Sequence, residues 1–251
     1  MKRALAGALL VLGAALSPLA WAEWSLFGEL EHFRWEEDVS PRVTETGPML
    51  GLGLRWRQEH PAGLNFGYEA RLYGGSVDYD GSLLFSGTPI TGTTEYGGLR
   101  QEGQLSYRFA SRPMELLFAV GYDYWNRQLS VDQREEYRVG YLRLGIHADR
   151  RERTGWFGGG GIKYPFWIDE DGHFPDIGFT PNPHLTPRGE VSLYAEAGYR
   201  FSPRWSLAGY YEGYRFQESG DVQVSDGAST FAFFQPKSSL DSFGLRLRYS
   251  F

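Results

Sequence analysis

The chain has 251 residues, a formal net charge of −6, 16% aromatic residues, 33 glycines and no cysteine. The acidic balance argues against a nucleic-acid binder, and the lack of cysteine excludes a disulfide framework. Aromatic residues and glycines in short alternating segments favour an all-β protein. After residue 22, no apolar run approaches the roughly 20 residues that a transmembrane helix needs.

The first 22 residues have the organisation of a secretory signal peptide. Lys2 and Arg3 precede an apolar stretch over 4–16. Ala20-Trp21-Ala22 is a cleavage site of the small-x-small type. The sequence therefore predicts a signal peptide at 1–22 and one mature domain at 23–251. The mature chain keeps 31 acidic and 23 basic residues, which gives it a charge of −8.

Short segments of alternating polar and apolar residues follow one another along the mature chain. They lie at 24–35, 50–56, 64–72, 102–109, 116–124, 142–148, 156–167, 190–201, 205–211 and 243–251. The first and seventh of these segments are the least regular. Apolar residues facing lipid and polar residues facing a lumen, in an even number of strands, are typical of membrane barrels. The predicted fold is therefore a transmembrane antiparallel β-barrel of ten strands.

The last strand and the connections give this barrel a direction. Phe243–Phe251 ends in an aromatic residue on its apolar face, which resembles the sorting signal of bacterial outer-membrane barrels. The connections alternate in length. The short ones are 59–63, 110–113, 149–154 and 202–204, and the longer ones are 37–47, 77–93, 129–136, 168–188 and 218–237. Because short turns face the periplasm in such barrels, we expect an outer-membrane protein with both termini periplasmic and its loops extracellular.

The polar face of the strands carries charges of both signs. Its members are Glu69, Arg71, Arg100, Glu102, Arg108, Glu190, Glu196, Arg200, Glu212, Arg246 and Arg248. A narrow barrel is filled by its own side chains, and an unpaired buried charge is costly. We therefore expect paired charges in the lumen. This argues against general diffusion and places the function in the outer loops.

Two of those loops have unusual acidic content. One carries Asp78 and Asp80, and another carries Asp169, Asp171 and His173. Taken alone, each loop is explained by the fact that Asp and Gly are common turn residues. The start of a calcium loop at Asp169 lacks the remaining EF-hand ligands, so no metal site is predicted.

Taken together, the two loops suggest hydrolysis. They follow strands three and seven, which lie across the mouth of a ten-stranded barrel. Asp78 and Asp80, one of them protonated, would hold a water. His173 would take a proton from that water while Asp171 orients its ring.

These motifs resemble those of the omptins, a family of ten-stranded outer-membrane endopeptidases. In that family Asp-x-Asp follows a Gly-Gly, and Asp-x-Asp-x-His follows a Lys-Tyr, as after Gly74-Gly75 and Lys163-Tyr164 here. The segments 119–122, 197–199 and 244–251 extend the likeness over most of the mature chain.

The resemblance implies an endopeptidase that cleaves beside basic residues. It makes Asp78, Asp80, Asp171 and His173 catalytic. It places Asp169 at the floor of an acidic pocket, with Glu36 as the second acid and Glu29 and Glu31 as its competitors. It implies no cofactor beyond a requirement for lipopolysaccharide. The expected partners are outer-membrane lipid, lipopolysaccharide and a peptide or protein substrate, with no nucleic acid.

Departures from the omptin pattern keep other functions open. This chain has Gly87-Thr88-Pro89 where omptins carry a His-Pro that supports the active site, and its outer loops are shorter. The alternative is a non-catalytic outer-membrane barrel, either an adhesin or a structural envelope protein. A narrow channel is the third hypothesis.

Overall fold

The structure is a computed structural model that describes residues 22–58, 60–82, 87–130, 133–150 and 153–251. Of the predicted signal peptide, only Ala22 lies within these ranges. The first seven strands are β1 (Ala22–Glu37), β2 (Val43–Gln58), β3 (Gly63–Ser82), β4 (Pro89–Arg108), β5 (Met114–Gln128), β6 (Arg134–Asp149) and β7 (Gly155–Asp171). After them come a 3-10 helix (Phe174–Ile177), β8 (His184–Leu185), β9 (Gly189–Glu190), β10 (Ser192–Arg200), β11 (Trp205–Phe216), β12 (Val222–Ser225), β13 (Thr230–Phe233) and β14 (Ser238–Ser250).

Ten of the described strands, β1–β7 with β10, β11 and β14, form a closed antiparallel barrel. The β7–β10 pairing and the β14–β1 pairing complete the ring, which confirms the predicted fold class and strand count. The Phe251 N–H donates to the Trp24 carbonyl at 3.0 Å. Both ends of the described chain therefore lie at one end of the barrel, which we call the turn end, and the opposite end is the loop end. No described helix is long and apolar enough to cross a membrane.

The outside of the barrel is a continuous apolar belt. Leu50, Leu52 and Leu72 are each more than 60% exposed, and outward positions on the other barrel strands are apolar in the same way. Aromatic residues border the belt at the turn end. They include Trp24, Trp56, Tyr107, Trp156, Tyr199, Trp205 and Tyr249. An apolar band with aromatic girdles is the surface that a barrel presents to lipid.

Charged residues fill the half of the lumen nearer the turn end. The ion pairs are Arg71 with Glu29 and Glu31, Arg246 with Glu29, Glu69 and Glu196, Arg248 with Glu196, Arg100 with Asp123 and Glu212, Lys163 with Glu212, Arg143 with Glu102, Arg57 and Arg108 with Glu115, and Arg200 with Asp149. The expectation of paired lumen charges is thus met, with one exception. Glu190 lies on β9 outside the lumen, where it accepts a hydrogen bond from Gln217.

Aromatic and aliphatic side chains fill the half of the lumen nearer the loop end. This plug consists of Phe33, Trp35, Met49, Val77, Tyr96, Trp125, Tyr137, Val139, Tyr141, Ile168, Tyr214, Phe216 and Leu240. Each is at most 6% exposed. The plug and the ion pairs below it leave small cavities in the lumen, of about 100 and 50 Å³.

Two predicted loops are mostly strand. β3 and β4 pair continuously up to Ser82 opposite Pro89, so residues 77–82 and 89–93 of the predicted loop 77–93 lie in strands. The predicted loop 37–47 shrinks to 38–42. Aspartates and glycines suggested turns here, but the Val, Tyr, Ile and Thr residues between them favour a pleated sheet. The shortening matters because a residue in a strand has a fixed direction.

The two longest loops form a small folded unit, which we call the lobe. The loop after β7 and the β12–β13 hairpin share a cluster of buried apolar residues. Its members are Phe174, Phe179, Leu185 and Val224, with Ile177, Val222, Phe231 and Phe233 packed against them. Backbone hydrogen bonds of 2.9 and 2.7 Å join Thr180 to Ser225. The lobe therefore forms a fixed wall beside the barrel mouth.

Candidate functional site

Asp78 and Asp80 lie on the outer face of β3. They share their face with exposed Leu72, while Val77 between β2 and β4 is 1% exposed and points into the lumen. The pairing of β3 with β4 has no bulge between Gly63 and Ser82. Because alternation is unbroken, every even-numbered residue of β3 points outward. Both carboxylates therefore face away from the barrel mouth.

Asp169 and Asp171 also point outward, for a different reason. A bulge in β7 shifts the pairing with β6 between Gly140 and Tyr141 by one residue. Before the bulge, the odd-numbered residues of β7 face the lumen, as buried Lys163 does. After it, Ile168 and Glu170 face inward. One extra residue turns all later side chains to the opposite face.

The predicted catalytic residues therefore do not meet. The structure brings Asp169, Asp171 and His173 together on the outside of β7. It leaves Asp78 and Asp80 on the outside of β3, four strands away around the barrel. The predicted water-holding cleft between the two pairs is not assembled, and a catalytic role for these residues stays a prediction.

Around Asp171 there is an outer cluster with two histidines. The Asp171 Oδ1 accepts the backbone N–H of His173 at 3.0 Å and the Asn182 amide at 2.9 Å. The same oxygen is 3.9 Å from the His173 Nδ1, and the other is 3.8 Å from the His184 Nε2. Partial burial raises the pKa of Asp171, but the Asn182 and His173 hydrogen bonds and both rings outweigh it, so that the pKa is lowered. His173 has a φ of 46°, in the left-handed region.

The acidic pocket implied by the omptin resemblance is not present as expected. Asp169 accepts one hydrogen bond from Arg138 at 2.9 Å and is 2.7 Å from the His184 Nδ1, so neighbours in the wall occupy its carboxylate. Glu36 faces outward and pairs with Arg34 at 2.6 Å. The competing acids, Glu29 and Glu31, are buried in the lumen against Arg71.

An inward-facing site that no sequence motif marks lies at the loop end. A cavity of about 540 Å³, which we call the cup, opens above the aromatic plug between the lobe and the ends of β1–β6. Its floor carries Glu37, Glu135, Glu170 and Arg127. The alternation along β1 predicts that Glu37 points inward, because Glu37 has the same parity as buried Phe33. The inward direction of Glu170 cannot be predicted in this way, because the β7 bulge reverses the alternation before it.

Known proteins resemble this chain only in fold. No model of a known protein family matches the sequence, and no curated protein matches it. The solved outer membrane protease OmpT from Escherichia coli is 13% identical, with a TM-score of 0.47 over 92% of this chain and 96% of its own. An outer membrane channel from Pseudomonas putida F1 is 10% identical, with a TM-score of 0.46 over 90% of this chain and 95% of its own. The translocator domain of the autotransporter NalP from Neisseria meningitidis is 11% identical, with a TM-score of 0.38 over 90% of this chain and 88% of its own.

Proposed function

We propose that the mature chain, residues 23–251, is a non-catalytic outer-membrane barrel that acts through its loop end as an adhesin or structural envelope protein. The observation that carries this proposal is the filled lumen. The apolar belt and its aromatic girdle support contact with outer-membrane lipid and lipopolysaccharide. In this orientation the turn end is periplasmic and the lobe is extracellular.

The contents of the lumen argue against transport. Trp35, Trp125 and Tyr214 are at most 1% exposed. Within the plug, Trp125 packs on Tyr214, and both tryptophans pack on Tyr137. Below them, the guanidinium of Arg100 bridges Asp123 and Glu212 at 2.7 and 2.8 Å. A solute would have to displace large side chains and break buried ion pairs, each of which is costly to leave half-paired.

The directions of the acidic side chains argue against the predicted hydrolysis. Direct attack by water needs one water within about 3 Å of both the base and the polarising groups. Asp78 and Asp80 lie on the opposite side of the barrel from Asp171 and His173, and all of these positions face outward. No single water can serve both pairs in this arrangement.

One observation favours an omptin-like endopeptidase as the second candidate. Asp171 stands beside two imidazoles, at 3.9 Å from the His173 ring and 3.8 Å from the His184 ring. An aspartate close to a histidine is a starting point for activating water, although the His173 Nδ1 lies 3.2 Å from the Arg134 guanidinium and its Nε2 lies 3.3 Å from Glu136. In this candidate function lipopolysaccharide would be required, and the substrate would be a peptide cut beside Lys or Arg.

Three assays on one preparation separate these functions. The mature chain is refolded with lipopolysaccharide and tested on a fluorogenic dibasic peptide, in planar bilayers, and for binding to host matrix proteins and lipid. We expect no turnover and no conductance steps, together with binding to host matrix proteins or lipid. Cleavage that disappears in both Asp78→Ala and His173→Ala would establish the protease instead. Discrete conductance steps would establish a channel.

A further inference from the structure

The cup has apolar walls and a charged floor. Its walls include Val39, Val43, Ile90, Leu129, Ile177 and Phe234. They come from the β1–β2 turn, the β4 and β5 ends and the lobe, so distant parts of the chain build one apolar cavity. A volume of about 540 Å³ lies in the range of small-molecule sites. The cup lies beyond the apolar belt, whose last exposed residue on β7 is Trp167.

The floor holds more negative than positive groups. Arg127, 2% exposed, contacts Glu37 at 2.9 Å, Glu45 at 2.8 Å and Glu135 at 2.7 Å. Glu45 lies below the cup and also accepts from Thr94 and Tyr96. One guanidinium is therefore shared by three carboxylates, and Glu170 is a fourth carboxylate at the same floor.

Glu170 is the floor carboxylate that no described cation contacts. It is 2% exposed and lines the cup. In the described part of the chain no cation lies within 4 Å of it, and its hydrogen-bond donor is the neutral Gln235 amide, whose nitrogen lies 3.0 and 3.3 Å from the two oxygens when the amide is correctly oriented. The nearby Tyr137 hydroxyl donates to Glu135 instead, at 3.3 Å. A buried carboxylate in such a place is normally paired.

The acids of the cup therefore lie close enough together to disfavour one another's ionised forms. Burial, followed by the nearby Glu135 and Glu37 carboxylates, raises the pKa of Glu170 well above its ordinary value. Burial also raises the pKa of Glu135, although Arg127 opposes this. A cation placed among these groups would relieve the repulsion and release protons.

The apolar walls decide what kind of cation fits. In the described ranges, no three His, Cys, Asp or Glu side chains are placed to hold a metal ion. A bare ion would also leave the walls in contact with water, whereas an apolar body would bury them. Aromatic and aliphatic walls around buried charge are typical of sites for amphiphilic organic ligands.

We propose that the cup binds one organic cation with an apolar body, an alkyl- or arylammonium compound whose ammonium group lies among Glu37, Glu135 and Glu170. The inference rests on the proposed function, since it names the ligand class of a loop-end binding site. In the apo protein the acids share Arg127 and retain protons. In the complex they ionise around the ammonium group.

The test uses three probes that share a carbon skeleton. They are 4-phenylbutylamine, 4-phenylbutanol and 4-phenylbutanoate, titrated calorimetrically into the mature barrel in lipid nanodiscs, with empty nanodiscs as the blank. We expect saturable one-to-one binding of the amine and at least about tenfold weaker binding of the other two. The amine should release protons, seen as a heat that changes with buffer, and should bind more weakly as the pH falls from about 8 to about 5.

Variants locate the site. Glu170→Gln, and independently Ile90→Lys, which puts an ammonium group on the wall, should each weaken amine binding at least about tenfold. Glu36→Gln is the matched control, because its side chain faces away from the cup, and it should bind as the wild type does. Equal affinity for amine and alcohol, or undiminished binding by both cup variants, would overturn the inference. Absence of amine binding, with no cleavage and no conductance, would overturn this inference and leave the proposed function standing.

Discussion

Replacing Arg127 with Met is expected to destabilise the barrel by about 3–5 kcal/mol. The side chain is 2% exposed and holds Glu37, Glu45 and Glu135 by contacts of 2.7 to 2.9 Å. Without the guanidinium, three carboxylates would be left close together and buried. Removing one member of a buried charge network costs far more than the network contributes as a whole, because the remaining charges have lost their water.

Urea unfolding of the refolded barrel measures this effect. Arg34→Met is the matched control, because its pair with Glu36 is solvent-exposed and such pairs contribute at most about 1 kcal/mol. A second change, Glu45→Gln, should restore part of the stability of the Arg127→Met variant, since it removes one uncompensated charge. Equal stability of Arg127→Met and the wild type would show that the network is not formed.

Replacing Leu52 with Arg is expected to cost about 2–4 kcal/mol when the barrel is embedded in lipid. Leu52 is 65% exposed and lies midway along the outward apolar positions of β2, with Leu72 beside it on β3. In this setting exposure means contact with hydrocarbon. A guanidinium at this depth must snorkel or draw water into the bilayer.

Unfolding in phospholipid vesicles tests this position against one on the same strand. Thr46→Arg places the same side chain outward, beyond the belt, beside Arg34 and Asp78, where the expected cost is about 0–1 kcal/mol. Similar costs at the two positions would mean that the belt does not face lipid.

The barrel itself could be read from the sequence because lipid and lumen impose opposite chemistry on alternate residues. In the belt, Leu50, Leu52 and Leu54 alternate with glycine and arginine, and this parity is what the structure shows. The paired charges in the lumen follow from the same constraint. The number of alternating segments then gave the number of strands in the closed barrel.

The candidate site could not be read in the same way because both faces of the strands are polar or aromatic near the loop end. Asp78 and Asp80 flank Tyr79, so they suggested a loop rather than a strand edge. The alternation along β1 still predicted the direction of Glu36, because even-numbered residues such as Leu26 and Leu30 face outward. Counting from them would have assigned Glu37, not Glu36, to the mouth.

The β7 bulge was the feature least visible in the sequence. Its trace is the adjacent pair Phe166 and Trp167, both exposed, which breaks the alternation by one residue. Everything after it changes face, so Asp169 and Asp171 turn outward and Glu170 turns inward. Regular alternation without a bulge would wrongly predict that Asp169 and Asp171 face inward and that Glu170 faces outward.

The distance between positions 78 and 171 tests most directly whether the acidic pairs diverge. The chain has no cysteine, so Asp78→Cys combined with Asp171→Cys gives two unique spin-labelling sites for pulsed electron paramagnetic resonance in nanodiscs. Ten tilted strands spaced by about 4.8 Å make a barrel about 20 Å across. Outward-facing labels should therefore lie more than about 25 Å apart. A distance below about 15 Å would mean that both positions face one cleft, and would contradict the arrangement of the loop end described above.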